Sequence, residues 1–241
     1  MYVTDIVRNK INRLKTGYVF TYEDFDIPVN KVEALKKTLS RFVATGKIVR
    51  LSKGQFYKPE KTKFGVLRPV EYQIVKDLLE EENKIIGYLT GVSVFNKLGL
   101  TTQVSNTIQI GTNIERKPKK RGKYSIRFVR QKNTISKDNI YILQILDSLR
   151  FIKRIPDADI TESCKRILVI INDFTETEIL SIAKYALKYN PGTRALTGAI
   201  LDQVYGENIT NSLFISLNPA TVFEFNISSD ILVNTFKWRI S

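Results

Sequence analysis

The first 60 residues contain an amphipathic segment followed at once by two short β-type runs around a Lys-Gly turn. Five apolar residues of the segment fall on one side of a helical wheel, namely Val32, Leu35, Leu39, Phe42 and Val43. Gly46 ends this helical pattern, and the runs IVRLS and QFYK then flank Lys53-Gly54. Few small folds contain a helix that leads directly into a β-hairpin.

The residues before this segment complete a recognisable order. Apolar spacing predicts a first helix over Val3–Leu14, and YVFT (18–21) reads as a short strand. The stretch TYEDFD (21–26) offers a Thr N-cap with an acidic first turn, so we expect a second, short helix that Pro28 ends. The predicted order is helix, strand, helix, helix, strand, turn, strand. This is the order of a winged helix-turn-helix, whose wing is the hairpin.

The outward face of the third predicted helix is mainly basic and amide-bearing. Cations there can bind phosphates, and amide or small side chains can approach base edges. Phe56 is expected to pack inward, whereas Tyr57 is a candidate phosphate contact. The predicted DNA-contact residues of the first 63 residues are Asn30, Lys31, Lys36, Lys37, Ser40, Arg41, Arg50, Lys53, Gln55 and Tyr57. Winged helices also serve as protein-interaction modules, which is the alternative interpretation.

Charge is concentrated in the first half of the chain. The net charge is +14 with a pI near 9.7, which favours polyanionic partners. Residues 1–63 and 64–137 each carry 14 Lys and Arg against 6 Asp and Glu, whereas residues 138–241 carry 10 against 12. The basic surface is therefore expected to belong to the first half.

Histidine is absent and Cys164 is the single cysteine, which excludes an internal disulfide and the usual zinc and His-base chemistries. We expect no metal and no cofactor, and a small buried role for Cys164. The N-terminus lacks the apolar block of a signal peptide, and no run approaches the roughly 20 apolar residues of a membrane span. The sequence therefore predicts a soluble, cytoplasmic protein.

The remaining residues predict a larger mixed domain over 64–241, after a linker at 58–69. Helices are predicted from Pro69 and over Tyr88–Leu98, and strands in NTIQIGTN and KYSIRFVRQK. Four further helical segments follow, the third with a Thr–Glu capping pattern: DNIYILQILDSLRFI, ESCKRILVIINDF, TETEILSIAKYALKY and TRALTGAILDQVYG. The predicted class is α+β, mainly helical.

The segment 115–123 is the most basic in the chain and would protrude if its flanking strands formed a hairpin. Lys117, Lys119, Lys120 and Arg121 are candidates there for a second DNA contact. A merely solvated loop is the main alternative, and a contact to a protein partner or to that partner's RNA substrate is a further one. Glu115-Arg116-Lys117 also has the acidic-x-Lys form of metal-dependent nucleases, but the sequence offers no convincing Asp on a preceding strand. An enzyme is therefore not expected.

Four runs of the sequence resemble one known family. The runs GYVFTYEDFD and ALKKTLSRFVATGKIVRLSKGQFYKP, then GYLTGVSVFNKLGLTTQVSNTIQIGTN (87–113) and KYNPGTRALTGAILDQV (188–204), are similar to the AbiEi-type antitoxins of bacterial type IV toxin–antitoxin pairs. The resemblance implies a repressor that binds an inverted repeat in its own promoter through residues 1–63. It also implies that residues 64–241 neutralise a nucleotidyltransferase-type toxin. A DNA-binding regulator with an unrelated partner or ligand domain remains the alternative.

Overall fold

The computed structural model describes residues 2–241 and shows mixed helices and sheets, which confirms the α+β class. The chain forms two compact units. The first unit ends at Asp77 and also includes Lys120–Tyr124, and the second comprises Leu78–Lys119 and Ser125–Ser241. This division differs from the predicted boundary at 63/64. One reason is that the residues after 63 bind the first unit, since the Gln73 side chain accepts a hydrogen bond from the Val19 backbone N–H at 3.3 Å.

The first unit contains helices at its start and end with short strands between them. Its elements are α1 (Val3–Arg13), β1 (Val19–Phe20), α2 (Val32–Ala44), β2 (Val49–Ser52), β3 (Gln55–Tyr57), β4 (Glu60–Thr62), β5 (Gly65–Leu67) and most of α3 (Glu71–Leu79). The predicted linker at 58–69 is thus largely a two-stranded antiparallel hairpin, β4–β5.

A single apolar core joins α1, α2 and the three-stranded sheet of order β1-β3-β2. Val7 and Ile11 of α1 pack with Leu35 and Leu39 of α2, as the helical periodicity predicts. Phe56 lies in the same core with no exposed surface, so its predicted inward orientation is confirmed. The first helix, the third predicted helix and the hairpin are therefore confirmed as α1, α2 and β2–β3.

The predicted second helix is wrong. Residues 21–26 form a turn in which Asp24 Oδ2 accepts hydrogen bonds from the Thr21 backbone N–H at 2.6 Å and from its hydroxyl at 3.3 Å. Phe25 is buried against the edge of Phe20, with ring centroids 5.7 Å apart. A 3₁₀ turn at Val29–Lys31 then leads into α2. The residues that predict a helix N-terminus, Thr21 and Asp24, instead hydrogen-bond to each other and close this turn.

The second unit begins with sheet and ends with helices. Its elements after α3 are β6 (Glu80–Glu81), β7 (Lys84–Ile85), β8 (Gly87–Thr90), α4 (Val92–Lys97), β9 (Thr107–Thr112), β10 (Lys119–Arg121), β11 (Tyr124–Arg130), α5 (Ile140–Arg150), α6 (Ile160–Asn172), α7 (Glu176–Ala186), α8 (Pro191–Tyr205) and α9 (Glu207–Ile215). Of the residues in β10 and β11, those from Lys120 to Tyr124 are counted with the first unit.

Two features of the sheet correct the sequence prediction. The four strands have the order β10-β11-β9-β8, and β11 runs parallel to β9, so the two predicted strands do not form a hairpin. The predicted helix over Tyr88–Leu98 is half strand. Tyr88–Thr90 pair with β9 in β8, and the helix begins only after Gly91, whose φ of +79° suits glycine.

Helices α5 to α8 confirm all four predicted segments. The Thr175–Glu178 capping box at the start of α7 is present, and Asn190 caps α8. Cys164 is fully buried in this helical core, as expected. Trp238 is also fully buried, against Gly198. Between residues 2 and 241, no helix is both long and apolar enough to span a membrane.

Candidate nucleic-acid interface

Helix α2 presents a polar face opposite its buried side. Leu35, Thr38 and Leu39 are buried, and the Thr38 hydroxyl donates to the Ala34 carbonyl at 2.8 Å, which hides its polar group inside the helix. The opposite side is exposed, as predicted. The exposed residues at and before the helix include Asn30, Lys31, Lys36, Lys37, Ser40 and Arg41. This outward face is called the α2 face below.

The cations of the α2 face are not equivalent. Lys36 Nζ lies 2.6 Å from Glu33 Oε1, one turn earlier. The hydrogen bond between them lowers the pKa of Glu33 and raises the pKa of Lys36. Across residues 2–241, Lys37 and Arg41 lie within 4 Å of no carboxylate. Lys37 and Arg41 are therefore the more available phosphate ligands.

The β2–β3 hairpin, called the wing below, carries an exposed Lys53 at its tip. Gly54 adopts φ +77°, and a Cβ there would lie 3.6 Å from the Tyr22 ring. The exposed Arg50 places its guanidinium 5.4 Å from the centroid of the Phe56 ring. Gln55 is half-buried and accepts a hydrogen bond from Ser52 Oγ at 2.8 Å.

Tyr57 does not fit its predicted role. Its side chain is only 6% exposed, and burial raises the pKa of its phenol. A side chain with so little exposed surface offers a phosphate almost nothing to bind. We therefore remove Tyr57 from the candidate contacts and assign it to packing.

Tyr22 packs beside the wing. Its ring lies next to Gly54 and edge-on to Phe56, with the two ring centroids 5.6 Å apart. Tyr22 also packs against the apolar core to which Leu35 and Leu39 of α2 contribute. The α2 face and the wing are therefore built on the same core.

A cleft of about 450 Å³ opens beside the wing tip, within the first unit. It is lined by the wing residues 52–55, by residues 21–23, which include Glu23, and by Lys120 and Arg121 from the basic segment. Lys53 and Lys120 are both exposed there. Part of the basic segment therefore adds to the same cationic surface as the wing.

Arg121 is an anchor and not a free cation, which corrects its predicted role. Its guanidinium binds both carboxylate oxygens of Asp77 at 2.5 Å and donates to the Ile74 carbonyl at 2.6 Å. The residue is 9% exposed. The adjacent Gly122 approaches β2 so closely that a Cβ would lie 2.6 Å from the Leu51 carbonyl oxygen. The bidentate pair and this close approach fix the tip of the basic segment on the first unit.

The other cations of the basic segment lie exposed or against aromatic rings. Lys117 and Lys119 are exposed in the second unit. Arg116 lies 5.9 Å from the Phe128 ring centroid, and Lys123 lies 5.2 Å from that of Tyr124. The metal-dependent nuclease alternative gains no support at Glu115, because residues 2–241 contain no group of three His, Cys, Asp or Glu side chains placed to hold a metal.

Comparison with known proteins places the chain in a family. The DUF6088 family, described as a family of unknown function, matches residues 6–188. The chain belongs to this family. The matched range includes α2, the wing, the basic segment and the sheet of the second unit.

Among solved structures, the RV2827C protein from Mycobacterium tuberculosis is similar at 14% sequence identity. The similarity covers 98% of this chain and 89% of that one, with a TM-score of 0.49. No curated protein sequence matches the chain.

Sequence reasoning missed two residues that shape the surface of this family member. Tyr22 lies in a stretch where the sequence predicts a helix, and no pattern in the neighbouring residues indicates that it packs beside Gly54. The partner of Arg121 is 44 residues away in sequence, so no short-range pattern connects it with Asp77. In the sequence, the Lys-Lys-Arg-Gly run indicates only a concentration of positive charge. The structure shows that its glycine, Gly122, is needed because the backbone there lies close to β2.

Proposed function

We propose that this chain is a sequence-specific repressor that binds double-stranded promoter DNA through the first unit. The observation that carries the proposal is the exposed α2 face and the wing, which are built on one apolar core. Between residues 2 and 241, three of their cations, Lys37, Arg41 and Lys53, lie within 4 Å of no carboxylate. In this proposal the first unit acts as a winged helix-turn-helix whose second helix is replaced by the turn at 21–26.

The chemistry of the surface suits a duplex. An α-helix fits the major groove of B-DNA, where amide and cationic side chains can bind base edges. Asn30 and Lys36 are the candidates for that contact, while Lys37 and Arg41 flank them as phosphate ligands. Lys53 and Lys120 line the cleft at the wing tip, where two cations can follow the backbone or the negative potential of the minor groove.

The resemblance to AbiEi-type antitoxins supports a second part of the proposal. The chain would repress its own toxin–antitoxin operon at an inverted repeat, and the second unit would neutralise a nucleotidyltransferase-type toxin in the bacterial cytoplasm. No side chain is assigned a catalytic step, and no metal or cofactor is required. Co-expression with the product of the neighbouring gene, with growth as the readout, tests this part separately from DNA binding.

DNA binding is tested by removing two cations of the α2 face together. We expect Lys37→Gln with Arg41→Gln to weaken binding to promoter and random duplexes alike, and to lower the slope of log affinity against log salt by about two. Fluorescence anisotropy over a salt series measures both quantities. The matched control is Lys97→Gln with Lys165→Gln, which removes two exposed cations from the second unit. Equal affinities for the double variant and the parent would contradict the proposal.

A further inference from the structure

A small basic pocket lies within the second unit, away from the residues proposed to bind DNA. It has a volume of about 160 Å³. Three chain segments line it, namely the end of β11 at 130–132, the end of α5 at Arg150, and the connection from α7 to α8 at 188–190. The pocket therefore depends on the tertiary fold and not on one local motif.

Four cations line this pocket without a carboxylate among the lining residues: Arg130, Lys132, Arg150 and Lys188. In the part of the chain that the structure describes, none of the four lies within 4 Å of a carboxylate oxygen. Arg130 and Lys132 come from the basic region 64–137, whereas Arg150 and Lys188 come from residues 138–241, where Asp and Glu outnumber Lys and Arg. Like charges that converge on a concavity attract an anion there.

The floor of the pocket is rigid. Gln131 and Tyr189, which are 4% and 9% exposed, are joined by a hydrogen bond from Gln131 Nε2 to the Tyr189 hydroxyl at 2.8 Å. The Tyr189 hydroxyl donates in turn to the fully buried Asp147 at 3.1 Å, and Tyr88 donates to the same carboxylate at 2.7 Å. Because the floor is held by this buried network, the cations above it are attached to a fixed base.

Arg150 is held at the pocket by its own hydrogen bond. One terminal nitrogen of its guanidinium donates to the Arg130 carbonyl at 3.1 Å. A guanidinium has five N–H donors, so this bond orients the group and leaves donors for a ligand. A planar fork of donors matches the oxygens of phosphate better than it matches a spherical anion.

We propose that this pocket binds a phosphate group, carried either by a nucleoside triphosphate or by a single nucleic-acid strand. Ligand pockets for whole small molecules usually measure about 300–1,000 Å³, so this one takes a phosphate and leaves the rest of the ligand outside. Arg150 and Asn190 also line a neighbouring groove of about 390 Å³ that contains Lys153, Arg154 and Phe225. That groove offers further cations to the ligand beyond the first phosphate. The proposal goes beyond duplex binding, because its site and its ligand both differ.

The test uses the full chain, with ATP and a 5′-phosphorylated single-stranded decanucleotide as probes in isothermal titration calorimetry. We expect one of the two to bind, and the one that binds identifies the source of the phosphate. Lys132→Gln with Lys188→Gln changes two exposed residues and should weaken that binding by about tenfold or more. Arg150→Lys keeps the charge but removes the fork, and should also weaken it.

The control is again Lys97→Gln with Lys165→Gln, which removes the same charge elsewhere in the second unit and should bind the probe as the parent does. Duplex promoter binding should be unchanged in the pocket variants, so failure of this proposal is distinguishable from failure of the repressor proposal. Absence of binding by both probes at millimolar concentration would overturn the inference. Equal weakening by the control pair would overturn it as well, because the effect would then be one of net charge.

Discussion

The two units use polar side chains in opposite ways. In the first unit the core is apolar, built on residues such as Leu39 and Phe56, and the cations lie on the surface. In the second unit a carboxylate, Asp147, is fully buried and accepts hydrogen bonds from three hydroxyl groups. Exposed cations can exchange partners readily, whereas a buried network fixes one arrangement. The first unit is therefore suited to an extended polyanion, and the second to a ligand held in one place.

The largest expected effect breaks the first unit and spares the second. Phe56→Ala removes a fully buried ring that packs on Phe20 and Tyr22, and should destabilise the first unit by about 3–5 kcal/mol. Amide hydrogen exchange should rise through α1, α2 and the wing. Trp238, the single tryptophan, is buried in the second unit, so its fluorescence reports the other half of the comparison.

The matched change in the second unit is Ile182→Ala, at a residue that is also fully buried. It should shift the Trp238 fluorescence transition and leave exchange in α2 unaltered. If both substitutions loosened both units equally, the contrast between the units would fail.

A change in stability of intermediate size should distinguish the anchoring cation of the basic segment, Arg121, from its exposed neighbour Lys120. Arg121→Met removes the bonds to Asp77 and to the Ile74 carbonyl, and should cost about 1–3 kcal/mol in the stability of the first unit. The lower part of this range is favoured because the Asp77 side chain is 55% exposed and its charge is screened by water. Urea unfolding monitored by hydrogen exchange gives the value.

Lys120→Gln is the comparison for Arg121→Met, since Lys120 is exposed in the same strand. It should change stability by less than about 0.5 kcal/mol and lower the salt slope of duplex binding by about one. A stability loss at Lys120 equal to that at Arg121 would mean that the two cations have the same role.

The last expected effect is a pH dependence of the second unit. Burial raises the pKa of Asp147 even though the hydroxyls of Tyr88, Thr90 and Tyr189 oppose the shift. Its contribution to stability is therefore fully present below the ordinary Asp pKa, and is lost as pH rises through the higher folded value. Asp147→Asn should remove this loss, so the variant gains stability relative to the parent between pH 4 and pH 7.

Urea unfolding followed by Trp238 fluorescence at several pH values measures this difference in the second unit. Asp138→Asn, at an exposed carboxylate just before α5, is the control and should show the parent's pH dependence. If the stability of the parent and that of Asp147→Asn changed equally with pH, ionisation of the buried carboxylate would carry no free-energy cost, and the prediction would be wrong.

Prediction from the sequence succeeded where the signal was local and long. Helices α2 and α5 to α8 each repeat their apolar pattern over at least three turns, and Thr175 marks where α7 begins. It failed at residues 21–26 because a Thr and an Asp three residues apart can form either a helix cap or a closed turn.

The remaining failures involve partners that are distant in sequence. The parallel pairing of β9 with β11 and the bond from Arg121 to Asp77 leave no mark in either short segment. The same holds for the small basic pocket of the second unit, whose three lining segments span about 60 residues of sequence. The exposed α2 face could be predicted, whereas the anchoring of Arg121 and the burial of Tyr57 could not.

The first unit is discontinuous in the chain, and this has a consequence for how it is made. The ribosome delivers Asp77 first and Arg121 only 44 residues later. At roughly 5–20 residues per second, this interval lasts about 2–9 seconds. During that time the nascent first unit lacks the anchored tip of the basic segment and one wall of the cleft at the wing. The basic cleft beside the wing is completed only after β9 of the second unit has been synthesised, so an early-terminated product would carry an unfinished surface.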